Sequence, residues 1–415
     1  DLTVHSMKDL SLDRPAAFVR AAIQRRENPR DVVLFGPGVV ERIRGGKKLR
    51  VGTSSPRRIE NIPAFLARAL PGGKAELEFV EIRGNVNTRL GRVHEKPGSE
   101  RHLDAVVLAF AGLIRLWRDP GGREELSKLL SGVRWMVLPL RECPAAPAQG
   151  ALAVECRAGT SERDAVVRAL VGKLHDAPTE AEVASERQLL ADWGGGCHQR
   201  FGATARMHGE LGRLLYVRGS KSNGEFVEEL RWNTPMREVD SAAVSWDGGQ
   251  WRSQADAVEN TERTGYAAQA TAIRPGDTVF VAHARAILAG SGLSQSAQWA
   301  RVWTSGVRSW FTLAREGVWV EGCAESLGYE QMLATVSEEV LQLPEPSKWT
   351  ILTHEGAREG WGHAHVAATY RVPSATDLTK DIKEAKTALH EATLVFWSSG
   401  SQYDALKDFL IPSAK

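Results

Sequence analysis

One pattern in the first 160 residues constrains the fold more than any other. Short apolar runs of strand length alternate with helical periodicity, and a polar cluster sits at each change-over. "LTVHSM" reads as a strand. "KKLRVG" leads into "TSSPRRIENIPAFLARAL", a short strand meeting a helix with Ser55 as N-cap and Pro56 at its first position. "LEFVEI" leads into "RGNVNTRLGRV", and "LDAVVLAFAGLIRL" is a buried strand running into a helix. Strands alternating with helices predict an α/β fold with mostly parallel sheets, whose ligands sit at the carboxyl ends of the strands. Each polar cluster just quoted lies at such an end.

The pattern changes further along. From about 176 to 192, "DAPTEAEVASERQLLADW" predicts a capped amphipathic helix with Thr179 as N-cap. A glycine run follows, and then "GATARMHGELGRLLYVRGSKSNGEFVEELRW", whose alternation and turn residues predict a small antiparallel sheet. Residues 246–276 are polar and mixed, as in a linker. After about 276 the α/β pattern resumes in "DTVFVAHA", "ARVWTSG", "WTILTHEG" and "ATLVFWSSG". Eleven of the thirteen tryptophans lie at or beyond Trp193, a shift that points to segments of different origin. The chain opens at Asp1, already inside a strand pattern, so further residues are expected upstream.

Composition narrows the function classes. A chain of 415 residues can hold two or three domains with real cores. A formal net charge of +2 argues against a global polyanion-binding surface, so no nucleic-acid partner is expected. No apolar run reaches membrane-spanning length, and no signal-peptide pattern opens the chain. The four cysteines form no C-x-x-C pair, which leaves zinc ribbons and thioredoxin-like motifs unsupported and suits a reducing compartment, by default the cytoplasm. "HAH" at 363–365 has poor ligand spacing, and no metal site is expected.

Three clusters could carry chemistry. Arg57, Arg58, Arg83, Arg89 and Arg115 sit at strand-to-helix junctions, where guanidinium forks suit carboxylates and phosphates. The backbone N–H groups of "GTSSPRR" add an anion site at a helix N-terminus. Singly, such arginines are more often solvated helix charges; five at strand ends favour a cleft for a ligand with several negative charges. Asp9, beside Lys8 at the end of the first strand, could stabilise a developing cation or handle a proton, although such a pair is usually surface. Cys197 follows Gly194, Gly195 and Gly196, which permit unusual backbone angles and the close approach of something bulky. A free cysteine is usually a small buried hydrophobe, and adjacent His198 makes only a weak Cys–His dyad.

Taken together, "VHSMKDL", "VGTSSPRR", "IRGNVNTRL", "LDAVVLAFAGLIRL", "AQGALAVECR" and "ERQLLADWGGGC" follow one another as in a single family. Over roughly residues 1–255 the sequence resembles hydroxymethylbilane synthase, also called porphobilinogen deaminase. The resemblance implies stepwise joining of four porphobilinogen units into a linear tetrapyrrole, with release of ammonia. It implies a dipyrromethane cofactor on Cys197 through a thioether, and Asp9 as the catalytic carboxylate. By position Lys8, Arg57, Arg58, Arg83, Arg89 and Arg115 would bind the pyrrole carboxylates. Thr53, Ser54 and Ser55 would add hydrogen bonds, and Gln149 and Gly150 would lie on the segment connecting two domains.

The implied architecture is two α/β domains like those of periplasmic binding proteins, 1–30 with 139–160 and 31–138. A small α+β domain at 161–255 carries the cysteine, and a linker spans 256–275. Where the family has a proline and an aliphatic residue after the cysteine, this chain has "HQRFG". Trp193 replaces a smaller apolar residue, and the family segment preceding "HSMKD" is not in this sequence. Residues 276–415 resemble, more weakly, uroporphyrinogen-III synthase, which inverts the last ring and closes the macrocycle without a cofactor. There Tyr370 would assist loss of the hydroxyl, and Thr304, Ser305, Ser398 and Ser399 would bind carboxylates; a structural role for each stays open. Two rivals to a bifunctional enzyme also stay open, a non-catalytic tetrapyrrole or anion binder and a deaminase with an inert C-terminal domain.

Overall fold

The computed structural model describes residues 2–73, 75–193, 199–208, 212–233, 245–246, 273–287, 293–354, 361, 364–370, 387, 389–390 and 394–395. The first sheet has three strands. β1 (Leu2–Ser6) and β2 (Phe18–Ile23) flank β8 (Leu152–Arg157), both antiparallel to it. Between β2 and β8 the chain builds a second unit of five strands in the order β5-β4-β6-β3-β7. These are β3 (Asp31–Phe35), β4 (Leu49–Gly52), β5 (Leu77–Val80), β6 (Ala105–Ala109) and β7 (Arg134–Val137).

The expectation of mostly parallel sheets holds only in part. β4 is parallel to β5 and β6, but β3 is antiparallel to β6 and β7, and the first sheet is wholly antiparallel. The cause is the route of the chain. Parallel neighbours require a long crossover, usually a helix. Segments without a helix instead carry the chain into the second unit at 24–30 and out of it at 138–151, so β3 and β8 run against their neighbours.

β3 shows why this unit is solid. All five of its residues are buried, and alternate side chains serve opposite faces: Val33 and Phe35 join one core, Val32 and Leu34 the other. The helix α2 (Pro56–Ala69) covers one face and buries Ile62, Phe65, Leu66 and Ala69, while α3 (Val86–Gly91) and α4 (Phe110–Arg118) serve the other.

The predicted helix after 176 is Ala177–Asp192. Its N-cap is Asp176, whose carboxylate accepts the Thr179 N–H at 2.9 Å, and not Thr179 itself. A capping carboxylate three residues earlier leaves the Thr179 hydroxyl free to accept the Arg26 N–H at 3.0 Å. This helix packs on the predicted antiparallel sheet β9 (Arg200–Met207), β10 (Arg213–Ser220) and β11 (Phe226–Trp232). Among the described residues no helix is long and apolar enough to cross a membrane.

Of the four runs in the resumed α/β pattern, "ATLVFWSSG" gives β18 (Leu394–Val395), which pairs with β12 (Ser245–Trp246) in a separate two-stranded sheet. The other three fall in one all-parallel sheet. Its order is β15-β14-β13-β16-β17, with β13 at Thr278–Val281, β14 at Arg301–Thr304, β15 at Val320–Cys323, β16 at Thr350–His354 and β17 at His365–Tyr370. Most of the expected linker falls outside the described residues. Edge strand β15 lies beside edge strand β7, and tryptophans fill the joint. Trp319 Nε1 donates to the Trp135 carbonyl at 3.0 Å and its ring meets Phe35 edge-on at 5.0 Å. Trp310 Nε1 donates to the Ala69 carbonyl at 3.2 Å, with its ring edge-on to Phe65 at 5.1 Å. Part of the late tryptophan excess therefore builds this junction. Trp310→Ala should lower stability by about 3–5 kcal/mol, and Trp310→Phe by clearly less. Denaturant melts of the two variants check this.

Candidate active site

The site is built on strand ends. Because β4, β5 and β6 are parallel, the loop Thr53–Ser55, the loop Glu81–Asn85 and the start of α4 all leave from one edge of the sheet. β3 runs the other way, but its register pairs Asp31 with Ala109, so its first residue reaches the same edge. Gly52 closes β4 where a Cβ would lie 2.5 Å from Leu103 Cδ1 and 2.9 Å from Ile82 Cδ1, so a larger residue would push these two buried side chains aside. Thr53 is buried, its N–H bonded to the Val80 carbonyl at 2.9 Å. Ser54 Oγ donates to the Ile82 carbonyl at 2.8 Å, while Ser55 holds the N-cap position without a side-chain cap bond.

Arg57 and Arg58, in the first turn of α2, turn inward onto Asp31. The Asp31 carboxylate accepts from Arg57 Nη2 at 2.8 Å, Arg58 Nε at 3.2 Å, Arg58 Nη2 at 2.7 Å and Gln149 Nε2 at 2.9 Å. Burial alone would push this carboxyl up. The two guanidinium charges, with hydrogen bonds from Arg58 and Gln149, outweigh burial and hold it well below the usual range. Arg58 Nη1 also donates to the Val107 carbonyl at 2.9 Å and Arg57 Nη1 to the Pro144 carbonyl at 2.7 Å. These two arginines are thus more internally engaged than open strand-end cations would be.

Around this core stand less compensated cations. Lys8 is held below its ordinary range, first by burial and then by Arg58. Arg89 is lowered by burial and by Arg58. Arg115 is lowered by burial, with Glu27 opposing, and its Nη2 donates to the Gly150 carbonyl at 2.6 Å. Arg83 stands exposed beside Glu81 at 3.2 Å, away from the buried cluster. Arg57 Nε and Arg89 Nε are buried with no acceptor, and Gln149 Oε1 is buried with no donor. Such atoms fit a ligand that brings carboxylates to the N–H groups and a ring N–H to the oxygen.

Asp9 closes the 3₁₀ turn Met7–Asp9 and is exposed. Arg187 holds this turn, donating to the carbonyls of Met7 at 3.2 Å, Leu10 at 2.9 Å and Ser11 at 2.8 Å. Next to it on the same helix, Glu186 is fully buried and pairs with Arg26 at 2.6 Å and 3.0 Å. Burial pushes the Glu186 carboxyl up against the opposing pull of Arg26. Glu186 also accepts the N–H groups of Ala148 at 2.5 Å and Ala205 at 2.6 Å, and Arg26 Nε donates to the Gln149 carbonyl at 2.8 Å. The helix therefore fixes the Asp9 turn, the connecting segment and β9 together. Cys197 and His198, with the glycine run, lie outside the described residues; the flanking Trp193 ring packs on Phe201 at 4.9 Å.

Residues 1–168 match the sequence profile described as "Porphobilinogen deaminase, dipyromethane cofactor binding domain". The porphobilinogen deaminase of Nocardia farcinica is 40% identical over 245 residues, 59% of this chain and 59% of that protein. The porphobilinogen deaminase of Mycobacterium marinum is 42% identical over 244 residues, 59% of this chain and 65% of that protein. Porphobilinogen deaminase 1 of Streptomyces coelicolor is 39% identical over 254 residues, 60% of this chain and 71% of that protein. The chain belongs to the porphobilinogen deaminase family. It spans less than two thirds of the length of the Nocardia and Mycobacterium proteins. The matched domain is the family's dipyrromethane-binding domain, and it ends before Cys197.

The matches cover about three fifths of this family member. In the C-terminal sheet, Thr304 and Ser305 stand at the end of β14, before the helix Val307–Arg315; Thr304 Oγ1 donates to the Gly306 carbonyl at 3.2 Å. Tyr370 is buried at the end of β17, its ring 5.8 Å from that of His354. β14, β16 and β17 are parallel, so these residues share one edge. Ser398 and Ser399 lie outside the described residues. Among the described residues no three His, Cys, Asp or Glu side chains cluster as metal ligands.

Sequence reasoning missed Asp31, Glu186, Arg187 and His354. Only Asp31 left a signal, a carboxylate opening an otherwise apolar strand, "DVVLF". Its folded-state carboxyl is depressed, so its stabilisation is present above the unfolded value of about 4 and is lost as pH falls through the folded one. Asp31→Asn should cost about 3–5 kcal/mol at pH 7, the scale for removing one partner of a buried ion pair. The gap to the parent should narrow below about pH 4, as melting midpoints measured against pH would show.

Proposed function

We propose that the protein is a porphobilinogen deaminase that joins four porphobilinogen units head to tail into hydroxymethylbilane and releases ammonia. The observation that carries this reading is the buried cationic cluster at the strand-end edge, where Lys8, Arg57, Arg58 and Arg89 outnumber Asp31 and buried N–H groups lack acceptors. Each porphobilinogen unit brings an acetate and a propionate, so the growing chain gains two negative charges per step. A water-poor pocket with surplus guanidinium charge binds such a chain more strongly than exposed lysines would.

The dipyrromethane cofactor, when bound, supplies the primer to which substrate units are joined. In this reading Cys197 is its thioether anchor, and Gly194, Gly195 and Gly196 leave room for it. Asp9 presents its carboxylate where loss of ammonia leaves a cationic substrate fragment, stabilising that cation and orienting it for attack by the chain end. Arg187 holds the Asp9 turn in place, while Thr53, Ser54, Ser55, Arg83 and Arg115 complete the polar wall and Gln149 and Gly150 join the two units around it. The proposed C-terminal activity is ring inversion and closure to uroporphyrinogen III. Its support is the shared strand-end edge of Thr304, Ser305 and Tyr370 on a parallel sheet, where such folds bind ligands.

Intact-mass analysis of the full-length protein should show a covalent adduct that Cys197→Ser abolishes; an adduct that survives the change removes Cys197 as anchor. Asp9→Ala should keep the parent's melting curve and lose at least about 100-fold in turnover, the range of one positioned electrostatic or acid–base group. Isomer analysis of the product tests the C-terminal activity. Only isomer I, the product of spontaneous closure, would mean an inert C-terminal domain.

A further inference from the structure

We infer that Asp31 is a positioning residue for the arginine pair and that it ties their orientation to the two segments joining the first and second units. The inference rests on the deaminase reading for its substrate, and on the following geometry for its content.

Arg57 and Arg58 are consecutive, so their charges cannot separate far, and both are almost wholly buried. Asp31 is the acid that both contact. Its two oxygens receive three guanidinium bonds, from Arg57 Nη2, Arg58 Nε and Arg58 Nη2, which fixes the planes of the two forks. Among the described residues Asp31 is the only acid that pairs with them, and their other side-chain bonds go to the carbonyls of Pro144 and Val107. The direction of the donor left over, Arg57 Nε, follows from this clamp.

The same residue is a node of the inter-unit connection. The first crossing, 24–30, ends at Asp31. The second leaves β7 with Leu138, whose N–H donates to the Asp31 carbonyl at 3.0 Å. It returns through Gln149, whose Nε2 donates to the Asp31 carboxylate at 2.9 Å and to the Pro29 carbonyl at 2.7 Å. Beyond it, Gly150 stands at φ +90°, where a Cβ would lie 2.6 Å from the Glu27 carbonyl oxygen, so the two crossings press together there. A change in the angle between the units must pass through Gln149 and Asp31, and so reaches the guanidinium forks.

Charge and position predict opposite outcomes for Asp31→Asn. Removing a negative charge from a cationic pocket would by itself tighten binding of a polycarboxylate and lower KM. Loss of the clamp would loosen the forks and raise KM. A purely structural role would lower the melting midpoint and leave the KM of the folded fraction unchanged. We expect KM for porphobilinogen to rise about tenfold in full-length Asp31→Asn, the scale of one lost hydrogen bond to a charged group, with kcat within about threefold of the parent. Gln149→Leu leaves every charge in place and should raise KM about threefold, with a lowered melting midpoint because the Asp31 carboxylate and the Pro29 carbonyl each lose a buried donor. It carries the test if Asp31→Asn does not fold. An unchanged or lowered KM in the folded variants overturns the positioning role. A parent that consumes no porphobilinogen overturns instead the deaminase reading on which it rests.

Discussion

The site depends on one arrangement, a fully buried carboxylate between two consecutive, buried arginines. Three charges in a low-dielectric interior are costly to desolvate, and such a group persists only when geometry and hydrogen bonding offset that cost. Here each carboxylate oxygen accepts two bonds, and the two arginines also donate to the Pro144 and Val107 carbonyls. The local charge stays positive after Asp31 is counted. A neutral cluster would be a better structural element and a worse anion site. In the proposed reading the imbalance is what receives the substrate carboxylates, and the clamp is what lets the fold tolerate it.

A second buried pair, Arg26 with Glu186, does a different job in the same way. Its carboxylate ties together backbone from the connecting segment and from β9, and its arginine reaches the carbonyl of Gln149 itself. The two ion pairs are thus linked through the single residue Gln149, one holding the cationic wall and the other holding the helix Ala177–Asp192. Arg187 then carries the effect to the Asp9 turn. The proposed catalytic carboxylate and the cationic wall stand at strands of two separate sheets, and these polar contacts set their common frame.

Much of this was legible before the structure. Strand and helix alternation located β4, β5, β6 and their helices, and Pro56 marked the start of α2, because these signals are local and periodic. Sheet direction was not legible, since the antiparallel course of β3 and β8 follows from the route of the chain between units and not from any strand's own residues. The Thr179 cap failed because two residues compete for a helix start and the earlier Asp176 satisfies the same N–H. Glu186 and Arg187 read as ordinary helix charges; only tertiary packing turns one inward and the other onto a turn about 180 residues away in sequence. The arginines were found as a group because their spacing at strand ends is visible, whereas the acid that binds two of them sits in another strand.

The tryptophans place the C-terminal sheet in the same logic. An open sheet edge exposes unpaired backbone groups and must be covered. β7 and β15 are both such edges, and they lie against one another, with Trp319 just before β15 bonded to the Trp135 carbonyl of β7 and Trp310 joining its helix to α2 beside them. Indole N–H groups reaching the Ala69 and Trp135 carbonyls make this joint directional as well as apolar, which a leucine-filled joint would not be. Polar contacts then run from the C-terminal sheet to the segment entering β3: Arg30 pairs with Glu325, and Asn28 donates to Thr335 at 3.0 Å. Those residues lie within three positions of Asp31. The C-terminal unit therefore bears on the strand entrance that holds the arginine clamp, so its packing and the geometry of the proposed active site belong to one connected structure.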